Sequence, residues 1–137
     1  MKIIKTTAHT MGDLYADLFV RVFGKWNTHH VPDHVWLFVD DDDSDILGFA
    51  CGCEVTPVEI FLMFGGCCPE YRGPRVRGRL KQVREYLHNN YKYITTNVEN
   101  TNLPMLKLYL SIGYLIHGIH YSTDNKTFVE LISTKEQ

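Results

Sequence analysis

Apolar and polar positions along this chain follow two periods, one of strands and one of helices. From Val58 to Phe64 the run is almost unbroken apolar, the pattern of a strand covered on both faces. Segments 2–5, 34–40, 46–55 and 91–98 read as further strands, and 114–122 with 126–133 as a hairpin around Thr123-Asp124-Asn125. Between them the period changes. Leu14, Leu18, Val22 and the pair Tyr15, Phe19 predict a helix over 11–23, entered through Thr10 and ended by Gly24. Val76, Leu80, Val83 and Leu87 mark the buried stripe of a second helix running to about Asn90. Pro104 fits the first turn of a third, capped near Asn102 and stopped at Gly113. The predicted order is β-α-β-β-β-α-β-α-β-β, an α/β (α+β) chain.

The corner after the central apolar run carries the densest chemistry. Gly65 and Gly66 interrupt the strand, which suggests a bulge or a close approach by another backbone or a ligand. Pro69 stops the ladder. The helix that follows directs its first N–H groups back toward the strand end, and Arg72, Arg75, Arg77 and Arg79 lie in or beside the loop. A strand–loop–helix corner of this kind suits an anion.

A chain of 137 residues is expected to form one domain, 1–137, with its own core. The net charge of −2 hides an asymmetry, acids clustering at 40–45 and bases at 72–84. No apolar stretch opens the chain as in a signal peptide, and no run is long enough for a membrane span. Cys51, Cys53, Cys67 and Cys68 without a secretory signal suggest reduced thiols in a cytoplasm. No metal site is expected. A hairpin turning at Thr56-Pro57 would hold the two cysteine pairs ~13 Å apart along the ladder, whereas zinc ligands converge within ~2.3 Å of one ion. The Asp run at 40–43 lacks the alternating ligands and terminal glutamate of a calcium loop and reads as a charged hairpin tip.

Two segments resemble one family. PEYRG at 69–73 looks like the opening of the acetyl-CoA pyrophosphate loop of GNAT superfamily N-acetyltransferases, and NLPMLKLYLSIGY at 102–114 is similar to that family's second motif. The resemblance implies the GNAT fold, a mixed, twisted sheet of about six to seven strands with helices on both faces. It implies acetyl-CoA as co-substrate and a primary amine, on a small molecule or a protein, as acceptor. Carried over, the cofactor-binding positions are Gly66, Cys67, Arg72, Gly73, Pro74, Arg75, Val76, Arg77, Gly78 and Asn102, and Tyr109 is the catalytic acid that protonates the departing thiolate.

The chain also departs from the family. Two usual loop glycines are replaced by Arg75 and Arg77, a cost of about 1 kcal/mol or more wherever a left-handed backbone is required. The central strand carries Leu62, Met63 and Phe64 where the family often has a basic glutamate; Glu59 lies too early and Glu70 sits in the loop. His117 and His120, or His29 and His30, are the candidate bases acting through water. Two other readings stay open. The basic cluster suits nucleic acid or another polyanion. The degenerate loop is also similar to GNAT-like bacteriophage proteins that serve as virion or assembly components, which would work as homo-oligomers or with virion partners, in a host cytoplasm or a virion.

Overall fold

The structure is a computed structural model that describes residues 1–26, 32–42 and 45–135. His29 and His30, two of the candidate bases, lie outside the described residues, as does Asp43 of the acidic tip. The elements are β1 (Lys2–Thr6), α1 (Ala8–Met11), α2 (Asp13–Phe23), β2 (His34–Val39), β3 (Ile46–Thr56), β4 (Glu59–Cys67), α3 (Val76–Leu87), β5 (Tyr93–Glu99), α4 (Leu103–Ser111), β6 (Leu115–Tyr121) and β7 (Thr127–Thr134), with a 3-10 turn at Pro69–Tyr71. The seven strands form one mixed sheet in the order β1-β2-β3-β4-β5-β7-β6. β4 and β5 pair in parallel, as a crossover through α3 requires, while β1–β2, β2–β3, β5–β7 and β6–β7 are antiparallel. No helix among the described residues is long and apolar enough to cross a membrane.

The chain divides into two compact units, Met1–Cys53 with Met63–Arg79, and Glu54–Leu62 with Leu80–Gln137. In the first, the predicted helix over 11–23 is α2, which starts at Asp13, with the short α1 ahead of it. Thr7 caps α1, its hydroxyl accepting from the Thr10 N–H at 3.0 Å, and Gly12, at φ 59°, breaks the chain between α1 and α2 and stands at the start of α2 in place of Thr10. Tyr15, Leu18, Phe19 and Val22 of α2 are buried with Val35, Phe49 and Cys51, as the periodicity predicts, whereas Leu14 is exposed. Each large side chain buried this way contributes roughly 1.5–3 kcal/mol. Gly24, at φ 81°, closes α2 by donating its N–H to the Val20 carbonyl.

β4 differs from the expectation in two ways. It runs straight through Gly65 and Gly66 to Cys67, and its burial alternates in its first half, with Ile60 and Leu62 buried and Phe61 and Met63 half-buried. Gly48 of β3 is a glycine because β4 comes close, since a Cβ there would stand 2.2 Å from the Gly66 carbonyl oxygen, whereas a Cβ on Gly66 would stand 3.0 Å from Val22 of α2 and one on Gly65 would meet β3 only at ordinary contact distance.

In the second unit, β5 buries Ile94, Thr96 and Val98, and β7 buries Val129, Leu131 and Ser133. Arg84 of α3 and His88, just past its end, both bond Ser133, and Tyr109 of α4 bonds Thr96, so both helices lie on that face. α4 starts as predicted, with the Asn102 side chain accepting from the Met105 N–H and Pro104 in the first turn. Gly113, at φ 104°, takes the chain out of it.

Candidate functional site

The loop between β4 and α3 is tied down from several sides. Arg72 donates its Nε to the Cys67 carbonyl at 3.1 Å and its guanidinium also to the Val22 carbonyl, joining the end of β4 to the end of α2. Arg79 donates to the Tyr71 carbonyl. Glu70 is exposed and ion-paired with Arg21, whose hydrogen bond holds the carboxyl below its ordinary value. Gly66 lies against Gly48, and Cys67 is buried, its thiol pushed up by burial, so these two positions pack the strand end.

The turn that follows needs a left-handed backbone at one place, Gly73, at φ 131°, and there the chain has kept its glycine. Among the described residues the one non-glycine with positive φ is Asn125, in the β6–β7 turn. Arg75 and Arg77, standing where the family has glycines, therefore meet none of the backbone strain the sequence raised. Pro74 precedes the helix, the Val76 N–H closes onto the Gly73 carbonyl at 3.1 Å, and the Arg79 N–H onto Arg75. At Gly78 an added Cβ would meet nothing within 4 Å, so the helix start faces open space there. First-turn N–H groups have no acceptor within a helix, so a loop of this shape, with Arg75 and Arg77 at its rim, has the donors and charge that a pyrophosphate requires.

The second unit carries the proposed acid. Tyr109, half-buried on α4, packs edge-on against buried Tyr114 with ring centroids 4.8 Å apart. Burial raises its phenol above the ordinary value, and a hydrogen bond with the Thr96 side chain works the other way. Thr96 itself donates to the Leu62 carbonyl at 3.1 Å. Leu62 and Thr96 are the last pair of the parallel ladder, which starts at Glu59 and Tyr93. The ladder thus ends three residues before Gly65, and the Thr96 hydroxyl takes over where the backbone bonds stop. Asn102 spends its carbonyl oxygen on the helix cap. The sequence reading missed Thr96 and Glu130, because a polar residue on a strand carries no signal until its cross-strand neighbours are known.

Of the candidate bases, His117 and His120 come together on β6 around Glu130 of β7, His120 Nδ1 at 3.2 Å and His117 Nε2 at 3.9 Å from the carboxylate. Cys51, Cys53, Cys67 and Cys68 are free thiols.

These features define a chain with the fold of the GNAT N-acetyltransferases. It is similar to a chimera of spermidine N-acetyltransferase SpeG from Vibrio cholerae with hSSAT (TM-score 0.76, 12% identity, covering 98% of this chain and 96% of that one). It is equally similar to an IAA acetyltransferase from Bacillus cereus (TM-score 0.76, 12% identity, 98% and 99% covered). A Bacillus subtilis acetyltransferase solved in complex with CoA aligns at TM-score 0.74, with 11% identity and 98% and 100% covered. No protein-family model and no curated protein matches the sequence.

Proposed function

We propose that the chain is an N-acetyltransferase that uses acetyl-CoA and acetylates a primary amine by direct attack. The observation that carries this reading is the backbone of the 72–78 loop, left-handed at Gly73 alone and open at Gly78, so that Arg75 and Arg77 meet no left-handed strain. Acetyl-CoA supplies an acetyl group activated as a thioester. Gly73, Arg75, Arg77 and Gly78 hold its pyrophosphate through backbone N–H groups and the two arginine side chains, Pro74 and Val76 contributing shape, the one without an N–H and the other with its N–H on the Gly73 carbonyl. Gly66 and Cys67 contribute from the backbone of the strand end, Arg72 fixes the loop from behind, and Asn102 borders the pantetheine arm. Tyr109, kept protonated by burial, gives its proton to the departing thiolate. Titrating acetyl-CoA into the protein and screening polyamines and peptide amines for release of free CoA tests the reading. Saturable binding with amine-dependent CoA release supports it; no binding leaves a GNAT-like fold without the reaction.

A further inference from the structure

The face of the second unit opposite α3 and α4 holds a built cluster that the loop and Tyr109 do not use. Residues directly paired across strands share a face, and the pairs Gly118–Glu130 and His120–Phe128–Glu99 put these side chains on the face away from Thr96 and Ser133. Glu130 is its centre. The strand register shifts between Ile116 and Gly118, and that irregularity gives His117 and His120 access to the same carboxylate. Gly118 makes room for it: a Cβ there would lie 2.8 Å from Glu130 Oε2. The two imidazoles are 41% and 40% exposed and Glu130 34%, so the cluster is open to solvent.

The chemistry of the cluster follows from its bonds. An ionised carboxylate only accepts, so at 3.2 Å His120 Nδ1 carries the proton and donates it to Glu130 Oε1. With a proton on Nδ1, the lone pair of that tautomer lies on Nε2, and the ring is held in place by stacking on Phe128 at 5.2 Å and 17°. At 3.9 Å the His117 contact is too long for a hydrogen bond, which leaves Glu130 Oε2 with acceptor capacity. Glu99, half-exposed beyond Phe128, adds negative charge to the same face.

We propose that Glu130, His117 and His120 form a site for a primary ammonium group, and, resting on the amine-acetylating reading above, that this is where the acceptor is bound and deprotonated. Glu130 takes the ammonium charge. His120 Nε2 accepts one proton from R–NH3+, giving R–NH2 and an imidazolium, which then passes that proton to water. This supplies the base that Leu62, Met63 and Phe64 of β4 cannot.

The test is an NMR titration of the His117 and His120 imidazole signals, assigned through His117→Gln and His120→Gln, with n-butylamine and with 1-butanol as its neutral counterpart. Saturable shifts with the amine alone are expected, and Glu130→Gln should weaken amine binding roughly tenfold or more. His120→Gln should still bind the amine and slow turnover by roughly 10²–10⁴-fold. An absence of shifts in the wild type, or equal shifts with amine and alcohol, overturns the site. So does unchanged binding in folded Glu130→Gln. Acetyl-CoA binding measured on the same sample separates the two claims: cofactor binding without amine shifts removes this site and keeps the acetyltransferase reading, and the reverse removes that reading and keeps an ammonium site.

Discussion

Arg72 donates its Nε to the carbonyl of Cys67 at 3.1 Å, five residues back along its own chain. With its second bond, to the Val22 carbonyl, the guanidinium serves the fold. Arg72→Ala is therefore expected to lower unfolding stability by about 2 kcal/mol in urea denaturation, the range of charge-assisted hydrogen bonds at a partly exposed site. Arg75→Ala should leave stability within about 0.5 kcal/mol. Equal stability losses in the two variants would contradict this division of labour.

Glycines in the same region separate by what surrounds them. Gly48→Ala should destabilise by about 1–3 kcal/mol or more, because its Cβ meets the Gly66 backbone at 2.2 Å. Gly73→Ala should cost about 1–2 kcal/mol through its φ of 131°, with no clash. Gly78→Ala, in open space within α3, should be neutral or stabilising by up to about 1 kcal/mol. Thermal unfolding of the three variants gives the ranking directly.

His88 makes stability depend on pH. Its Nδ1–H donates to the Tyr91 carbonyl at 2.9 Å, so its Nε2 accepts the Ser133 hydroxyl proton at 2.8 Å, and Arg84 Nε in turn donates to Ser133. Burial lowers the imidazole below its ordinary value, with the Arg84 and Lys135 charges acting in the same direction. Below about pH 6.5 the unfolded chain then binds a proton that the native state refuses. Stability is full above that pH and falls as pH drops through the window toward the lowered native value. His88→Gln should be less stable at pH 8 and lose less between pH 7 and 5 than the wild type. Parallel pH profiles would show that His88 does not set this slope.

Much of the fold was legible because each element carries its own period: Val83 and Leu87 on α3, the alternation along β5, and the Asn102–Pro104 start of α4. The expected helix entry at Thr10 failed because Thr10 lies inside α1, capped by Thr7, and α2 begins after Gly12, whose positive φ the sequence does not reveal. Gly65 and Gly66 read as a strand end, yet β4 continues through them to Cys67, and the tight approach there, of the Gly66 carbonyl to Gly48 of β3, is a long-range contact invisible locally. The arginines of the loop look alike in sequence. Arg72 and Arg79 differ from Arg75 only in which carbonyls lie within reach. Of the cluster on β6 and β7, His117 and His120 were visible, but Glu130 became meaningful only when the β6–β7 register brought it to them.

Tyr109 and Thr96 form the second pair on which the account depends. Tyr109→Phe should lower turnover by roughly 10²–10⁴-fold with acetyl-CoA affinity nearly unchanged. Thr96→Val should lower turnover by acting through Tyr109, so the double variant should be no slower than Tyr109→Phe alone, and Thr96→Ser should restore the rate. Additive losses, or wild-type turnover in Tyr109→Phe, would assign Tyr109 to the core.

Calorimetric titration of acetyl-CoA into the wild type and into Arg75→Glu/Arg77→Glu tests the central claim most directly, because the loop is the feature that departs furthest from the family. The account predicts wild-type binding between about 1 μM and 1 mM, the usual range for an enzyme substrate. Affinity should fall as salt rises, since exposed charges are screened beyond about 10 Å at 0.1 M, and the charge-reversed variant should bind at least about tenfold more weakly while unfolding at the wild-type temperature. No measurable heat with the wild type, or equal affinity in the two proteins, would contradict it.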